Sequence, residues 1–170
     1  MAVLEIKKYP NPILRGKCLP VQILRSKTWS GKEVKEIPEE IKRLGFEMIE
    51  TMTENEGIGL SAPQVGELKR IIAVQTERGP EIFINPKILK KSKETEIIEE
   101  GCLSFPGLWL KIKRAKMVEI EAINEKGEKN KIQAEGLPAR IFQHEIDHLD
   151  GILFIDRLSF WQRLKLKEKF

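Results

Sequence analysis

The sequence predicts an α+β fold in one compact domain spanning residues 1–170. Three observations predict it. A helical pattern comes early, five short β-rich runs follow with turn signals between them, and helical patterns return only near the end. Strands joined by tight turns pair antiparallel, and helices kept to the flanks of such a run mark α+β rather than alternating α/β. A length of 170 residues suits a single domain with a real core.

The opening stretch YPNPILRGKCLP carries prolines at 10, 12 and 20 and is expected to be extended or turn-like. SKTWSGK follows as a polar connector. Pro38 opens a helix on which Ile41, Leu44, Met48, Ile49 and Met52 recur at helical spacing, and ENEG ends it. RIIAVQT, EIFINP, WLKIKR, MVEIEAIN and KNKIQAE read as strands, separated by turns such as Arg78-Gly79-Pro80 and Glu125-Lys126-Gly127. Residues 138–149 read as a helix, and Ser159 caps a terminal helix over FWQRLKLKEKF.

Hydrophobic residues at 41% and charged residues at 33% describe an ordinary globular chain. The net charge of +4 is concentrated in RLKLKEKF. A solvated helix face accounts for it, and contact with an anionic partner such as ribosomal RNA is the sharper alternative. MAVLEIKKYP places charges where a secretory signal needs an apolar run, and no segment has the apolar length of a membrane span. A cytoplasmic location is therefore expected, with no membrane or DNA partner. Two cysteines, Cys18 and Cys102, are too few for a disulfide framework, so each is expected to be a reduced thiol serving as buried filler or as a ligand.

The chemistry concentrates in FQHEIDHLDG, where His144, Glu145 and His148 form H-E-x-x-H and are joined by no other histidine in the chain. Residues four apart share a helix face, so both imidazoles can grip one metal while the glutamate handles a water. Leu137, Ile141, His144 and His148 fall within a sector roughly 60° wide, which predicts an apolar stripe facing the core. Two buried core histidines are the bland alternative. A hydrolytic site normally has three protein ligands and one open position. Glu168 is one candidate for the third, but it lies three residues from the chain end, where segments fray. Cys102, in EEGCLSFPG, sits in a constrained loop and offers a thiolate suited to zinc or ferrous iron. Cys18 lies among Arg15, Lys17 and prolines and reads as incidental. Cys102 is the choice.

GIGLSAPQVG, residues 57–66, matches the dinucleotide pattern G-x-G-x-x-A through Gly57, Gly59 and Ala62. The context is wrong, because a helix precedes it and Pro63 keeps one from opening there. Its glycines instead allow backbone to approach a ligand closely, and Gln64 adds a neutral amide donor for a developing oxyanion.

Taken together, GIGLSAPQVG, EGCLSFP and QHEIDHLDG, with the amino-terminal YPNPILR, resemble the signature motifs of the peptide deformylase family along nearly the whole chain. The resemblance implies a metal helix packed in a cradle of antiparallel strands. It implies removal of the formyl group from the initiator methionine of nascent N-formyl-methionyl peptides. Position by position, it implies metal ligation by Cys102, His144 and His148, and general acid–base work by Glu145. It implies oxyanion stabilisation by Gln64 and the Leu103 N–H, and a place beside the formyl group for Gly59. Ile58, Leu137 and Ile141 match positions lining a methionine pocket. The resemblance favours Fe²⁺ as the native ion, with Zn²⁺ or Ni²⁺ able to replace it. Ser61 and Trp109 depart from the family's usual residues. Two other readings stay open: an H-E-x-x-H protease using Glu168, and a non-catalytic metal-binding module docked on the ribosome through the basic tail.

Overall fold

The computed structural model describes residues 2–27, 29–31 and 33–167. In chain order the elements are β1 (Leu24–Lys27), β2 (Glu33–Glu36), α1 (Glu39–Glu54), β3 (Gly59–Ser61), β4 (Ile71–Thr76), β5 (Gly79–Lys91), β6 (Thr95–Cys102), β7 (Phe105–Ala115), β8 (Met117–Ile123), β9 (Lys129–Glu135), α2 (Gly136–Leu149) and α3 (Phe160–Lys167). All strand pairings are antiparallel. Strands β3-β4-β5-β8-β9 form one sheet, while β1-β2 and β6-β7 are separate hairpins.

The central sheet is covered on both faces, and the alternation of side chains along its strands assigns each face to one helix. Ile71, Ala73, Ile82 and Ile84 pack with Ile41, Leu44, Met48 and Met52 of α1. Their neighbours Ile72, Val74 and Phe83 turn the other way, onto Ile141, Phe142, Ile146 and Leu149 of α2. This double burial explains why β4 reads as an unbroken apolar run rather than an alternating one. The β6-β7 hairpin covers the far side of α2 over a third cluster that includes Phe105, Ile112 and Phe154. The cradle implied by the family resemblance is therefore closed on two sides, with α2 between the sheet and the hairpin.

Most expected elements are present, and four expectations need correction. The polar connector lies at the turn end of the β1-β2 hairpin, where Trp29 is fully exposed. Cys102 does not sit in an isolated loop but ends strand β6, whose exposed residues carry no clear alternation. A single 3-10 turn, Ala62–Val65, does open at Pro63, because a proline fits a first turn whose N–H groups need no partner. It follows a short strand, β3. Finally, α2 has no solvent face from Ala139 to Leu149, whereas Leu137 is 57% exposed and lies outside the core stripe.

Helix α1 lies close against the sheet at Gly45, where an added Cβ would lie 2.8 Å from Ile82 Cδ1 and 3.0 Å from its Cγ2. Gly45→Leu is expected to destabilise the fold by about 1–3 kcal/mol in urea titration, because β5 must move to admit the side chain. Phe46→Leu, at a half-exposed neighbour, is expected to change little.

Candidate metal centre

Three side chains from two elements converge between α2 and the β6-β7 hairpin. One helical turn separates His144 from His148, and Cys102 reaches them from the end of β6. Its Sγ lies 3.3 Å from His148 Nε2. The donor atoms of Cys102, His144 and His148 all lie within 4.8 Å of one another, and among the described residues no other group of this kind stands close enough to hold an ion. The ladder brings the thiol there through an irregularity: Glu100 pairs with Leu110 but Cys102 pairs with Phe105. Gly101 alone thus faces residues 106–109, and the Trp109 ring lies over it, 3.0 Å from where a Cβ would stand. Cys18, by contrast, is buried away from the cluster. Burial pushes its thiol up to about 11, which suits inert filler.

His144 is held by groups whose role is not apparent from the sequence. His144 Nδ1 lies 3.0 Å from Glu100 Oε2. The same carboxylate accepts from Arg114 Nε and Nη2 and from Arg140 Nη1. Arg114 Nη1 continues to Asp147 Oδ2 at 2.6 Å, and Asp147 also takes the guanidinium of Arg157. Burial works against the Glu100 carboxylate, yet its bonds to His144 and Arg114 hold it down at about 2. Burial also opposes a charge on His144, but Cys102 and Glu100 outweigh it and raise that imidazole to about 10. His148 falls well below its ordinary value through burial and the neighbouring charges of His144 and Arg114. The one sequence cue was position: Arg140 and Asp147 stand one turn either side of His144 on a helix otherwise rich in apolar residues.

Glu145 is buried and faces Gly59. A Cβ on Gly59 would lie 2.4 Å from Glu145 Oε1 and 2.9 Å from Ile141 Cγ2, so only glycine fits there. Glu145 Oε2 has no hydrogen-bond partner among the described residues. Burial raises this carboxyl to about 7 against the pull of His144. Gln64 is 1% exposed rather than a surface turn residue. Its Oε1 accepts from both the N–H and the hydroxyl of Ser61, at 2.9 and 2.8 Å, which turns its amide nitrogen toward Ser104 Oγ at 3.2 Å and Cys102 Sγ at 3.5 Å. A cavity of about 600 Å³ opens here, lined by Ile58, Gly59, Cys102, Leu103, Leu137, Ile141, His144 and Glu145 among others. Leu137 and Ile58 therefore stand at a cavity mouth, where exposure replaces the core packing expected for Leu137. Glu168 lies outside the described residues.

A cysteine sulfur and two imidazole nitrogens converging in this way, with the second nitrogen of His144 already held by a carboxylate, fit a divalent ion of borderline softness. With a buried acid alongside, one of whose oxygens has no partner among the described residues, they define a metallohydrolase type of centre. Comparison with known proteins narrows the class. The family model for polypeptide deformylase matches residues 3–164. A peptide deformylase of Desulforudis audaxviator is 42% identical over 160 residues, covering 94% of this chain and 96% of the relative. The crystal structure of peptide deformylase from Thermotoga maritima superposes with a TM-score of 0.83 at 40% identity, covering 94% of this chain and 99% of the other. A Synechococcus elongatus peptide deformylase solved in complex with actinonin superposes with a TM-score of 0.83 at 37% identity, covering 97% and 82%. The chain belongs to the peptide deformylase family.

Cys102→Ala is expected to abolish tight zinc binding, measured as metal retained after dialysis against a weak chelator. Cys18→Ala is expected to retain it. The opposite result would remove Cys102 from the cluster.

Proposed function

We propose that this chain is a metal-dependent hydrolase that removes the formyl group from the methionine of newly made polypeptides and releases formate. The observation that carries the reading is the placement of Glu145. It is a buried acid with an unpartnered oxygen, pressed against a glycine and adjacent to the Cys102, His144 and His148 cluster, in a cavity open to a peptide. Residues 1–170 act as one catalytic domain on this reading, in keeping with a family match that spans nearly the whole chain.

Cys102, His144 and His148 hold the ion, which we assign as Fe²⁺ natively, with Zn²⁺ or Ni²⁺ as substitutes that the same soft and borderline donors accept. When bound, it supplies Lewis acidity and eases deprotonation of water. Glu145 takes a proton from the attacking water as the water oxygen bonds to the formyl carbon. Gln64 Nε2 and the Leu103 N–H donate to the oxygen that gains charge. The carbon–nitrogen bond then breaks, and Glu145 returns the proton to the departing methionine amine. Ile58, Leu137 and Ile141 receive the methionine side chain, and Gly59 lies beside the formyl group. Ser61 keeps the Gln64 amide oxygen occupied, which turns its nitrogen, the donor, toward Cys102 and the cavity side.

Nascent formyl-methionyl peptides are the substrate, which places the enzyme in the cytoplasm. Among the described residues no helix is long and apolar enough to cross a membrane. Ribosomal contact through the basic C-terminal segment is the corresponding partner reading, supported by the three lysines and one arginine of RLKLKEKF. The protease reading is less favoured, because the structure supplies a third donor without Glu168.

Formate release from formyl-Met-Ala-Ser tests the function directly, and a metal-loaded chain that releases none would overturn it. Glu145→Gln is expected to keep its metal and lose about 10²–10⁴-fold in kcat, since an amide takes no proton. Acyl selectivity follows from Gly59. A formyl carbon carries only hydrogen, whereas the methyl of an acetyl group must push the carbonyl away from its attacking partner. Displacement by about 1 Å costs about 10²-fold. Acetyl-Met-Ala-Ser should therefore be nearly inert in kcat/KM comparisons, while formyl-norleucine peptides should match formyl-methionine ones.

A further inference from the structure

The β6-β7 hairpin pairs with no strand of the central sheet. No strand ladder therefore sets Cys102 against the helix carrying the two histidines, and side-chain bonds join hairpin to helix at that level. We propose that Glu100 is the positioning residue of the metal centre: it holds the Nδ1–H of His144 so that Nε2 faces the cluster, and it ties the Cys102 hairpin to α2. This inference rests on the reading of Cys102, His144 and His148 as ligands.

Glu100 stands two residues before Cys102 on the same strand. Its Oε1 accepts from Arg114 Nε at 2.7 Å on β7 and from Arg140 Nη1 at 2.6 Å on α2. Its Oε2 accepts from Arg114 Nη2 at 3.0 Å and faces His144 Nδ1 at 3.0 Å. Arg140 also donates to the carbonyls of Ile112 at 2.9 Å and Glu96 at 3.0 Å, so one α2 side chain grips both strands of the hairpin. A neutral imidazole carries its proton on one nitrogen only. A carboxylate at Nδ1 selects the tautomer whose Nε2 lone pair is free, and makes that nitrogen a better donor. Asp147 supplies the contrast. It shares Arg114 with Glu100 and sits on α2 beside the histidines, yet among the described residues its side chain bonds Arg114 and Arg157 and no ligand.

The test compares wild type, Glu100→Gln and Asp147→Asn by zinc affinity, measured in competition with a chromophoric chelator. Tautomers are read by NMR of the zinc-loaded proteins with ¹⁵N-labelled histidine, which two histidines make assignable. Wild type is expected to show a His144 Nδ1–H protected from solvent exchange. Glu100→Gln is expected to lose that protection and about 10–100-fold in zinc affinity. Asp147→Asn is expected to lose thermal stability while keeping the protected proton and near wild-type affinity. Equal losses of affinity in both variants would reduce Glu100 to a structural ion pair and overturn the proposal. So would unchanged affinity in Glu100→Gln, or a wild-type His144 without a proton on Nδ1. Should Glu100→Gln fail to fold, the wild-type tautomer and the Asp147→Asn affinity still decide it. A wild-type chain that binds no zinc would overturn the ligand reading itself.

Discussion

From Ala139 to Leu149 the helix α2 is enclosed by protein on every side, yet six of those residues are polar or charged: Arg140, Gln143, His144, Glu145, Asp147 and His148. Taking such groups out of water costs several kcal/mol each unless partners replace the water. The partners arrive from the hairpin and from the turn after the helix. Arg140 and His144 meet Glu100, and Gln143 bonds both the N–H and the carbonyl of Ala115. Asp147 meets Arg114 and Arg157. Two side-chain atoms of this helix stay unmet among the described residues, Glu145 Oε2 and His148 Nδ1. Both belong to the H-E-x-x-H motif, so the polar atoms left unsatisfied on this helix lie where the chemistry is assigned.

The same constraint explains the arrangement of layers. A sheet covered by α1 on one face and α2 on the other would leave the polar side of α2 in solvent. The β6-β7 hairpin removes it from solvent and brings a thiol with it. Its strands are tied to the helix by charge-assisted bonds rather than by a shared ladder, and such bonds are shorter and stronger than neutral ones. The cavity opens at the edge of this hairpin. One wall therefore belongs to the Cys102 strand and the other to the Gly57–Gly59 segment and the start of α2.

Close approach is the second device of the site. Gly59 lets Glu145 lie against main chain, and the burial that results keeps its carboxyl near neutrality. An acid poised in that range gives and takes protons with little driving force in either direction, as a group that does both requires. Ser61, two residues on, directs Gln64 by holding its amide oxygen with both its N–H and its hydroxyl. A single short segment thus sets the clearance for the acid and the direction of the amide.

Local pattern by itself determined much of this protein. Helical spacing located α1 and α2, an unbroken apolar run located β4, alternation and turn residues located β8 and β9, and H-E-x-x-H with its neighbouring motifs marked Cys102, Glu145 and Gln64 as the residues to watch. These features are encoded within a few residues of one another. Tertiary structure alone decided the rest. Strand β6 escaped notice because its outer residues are exposed on both sides and carry no period. The exposure of Leu137 and the burial of Gln64 depend on which segments close over them. The bond between Glu100 and His144 joins positions forty-four residues apart. Nothing in either neighbourhood specifies it, because a buried charge needs a partner in space, and the chain supplies that partner only once the hairpin has folded across the helix.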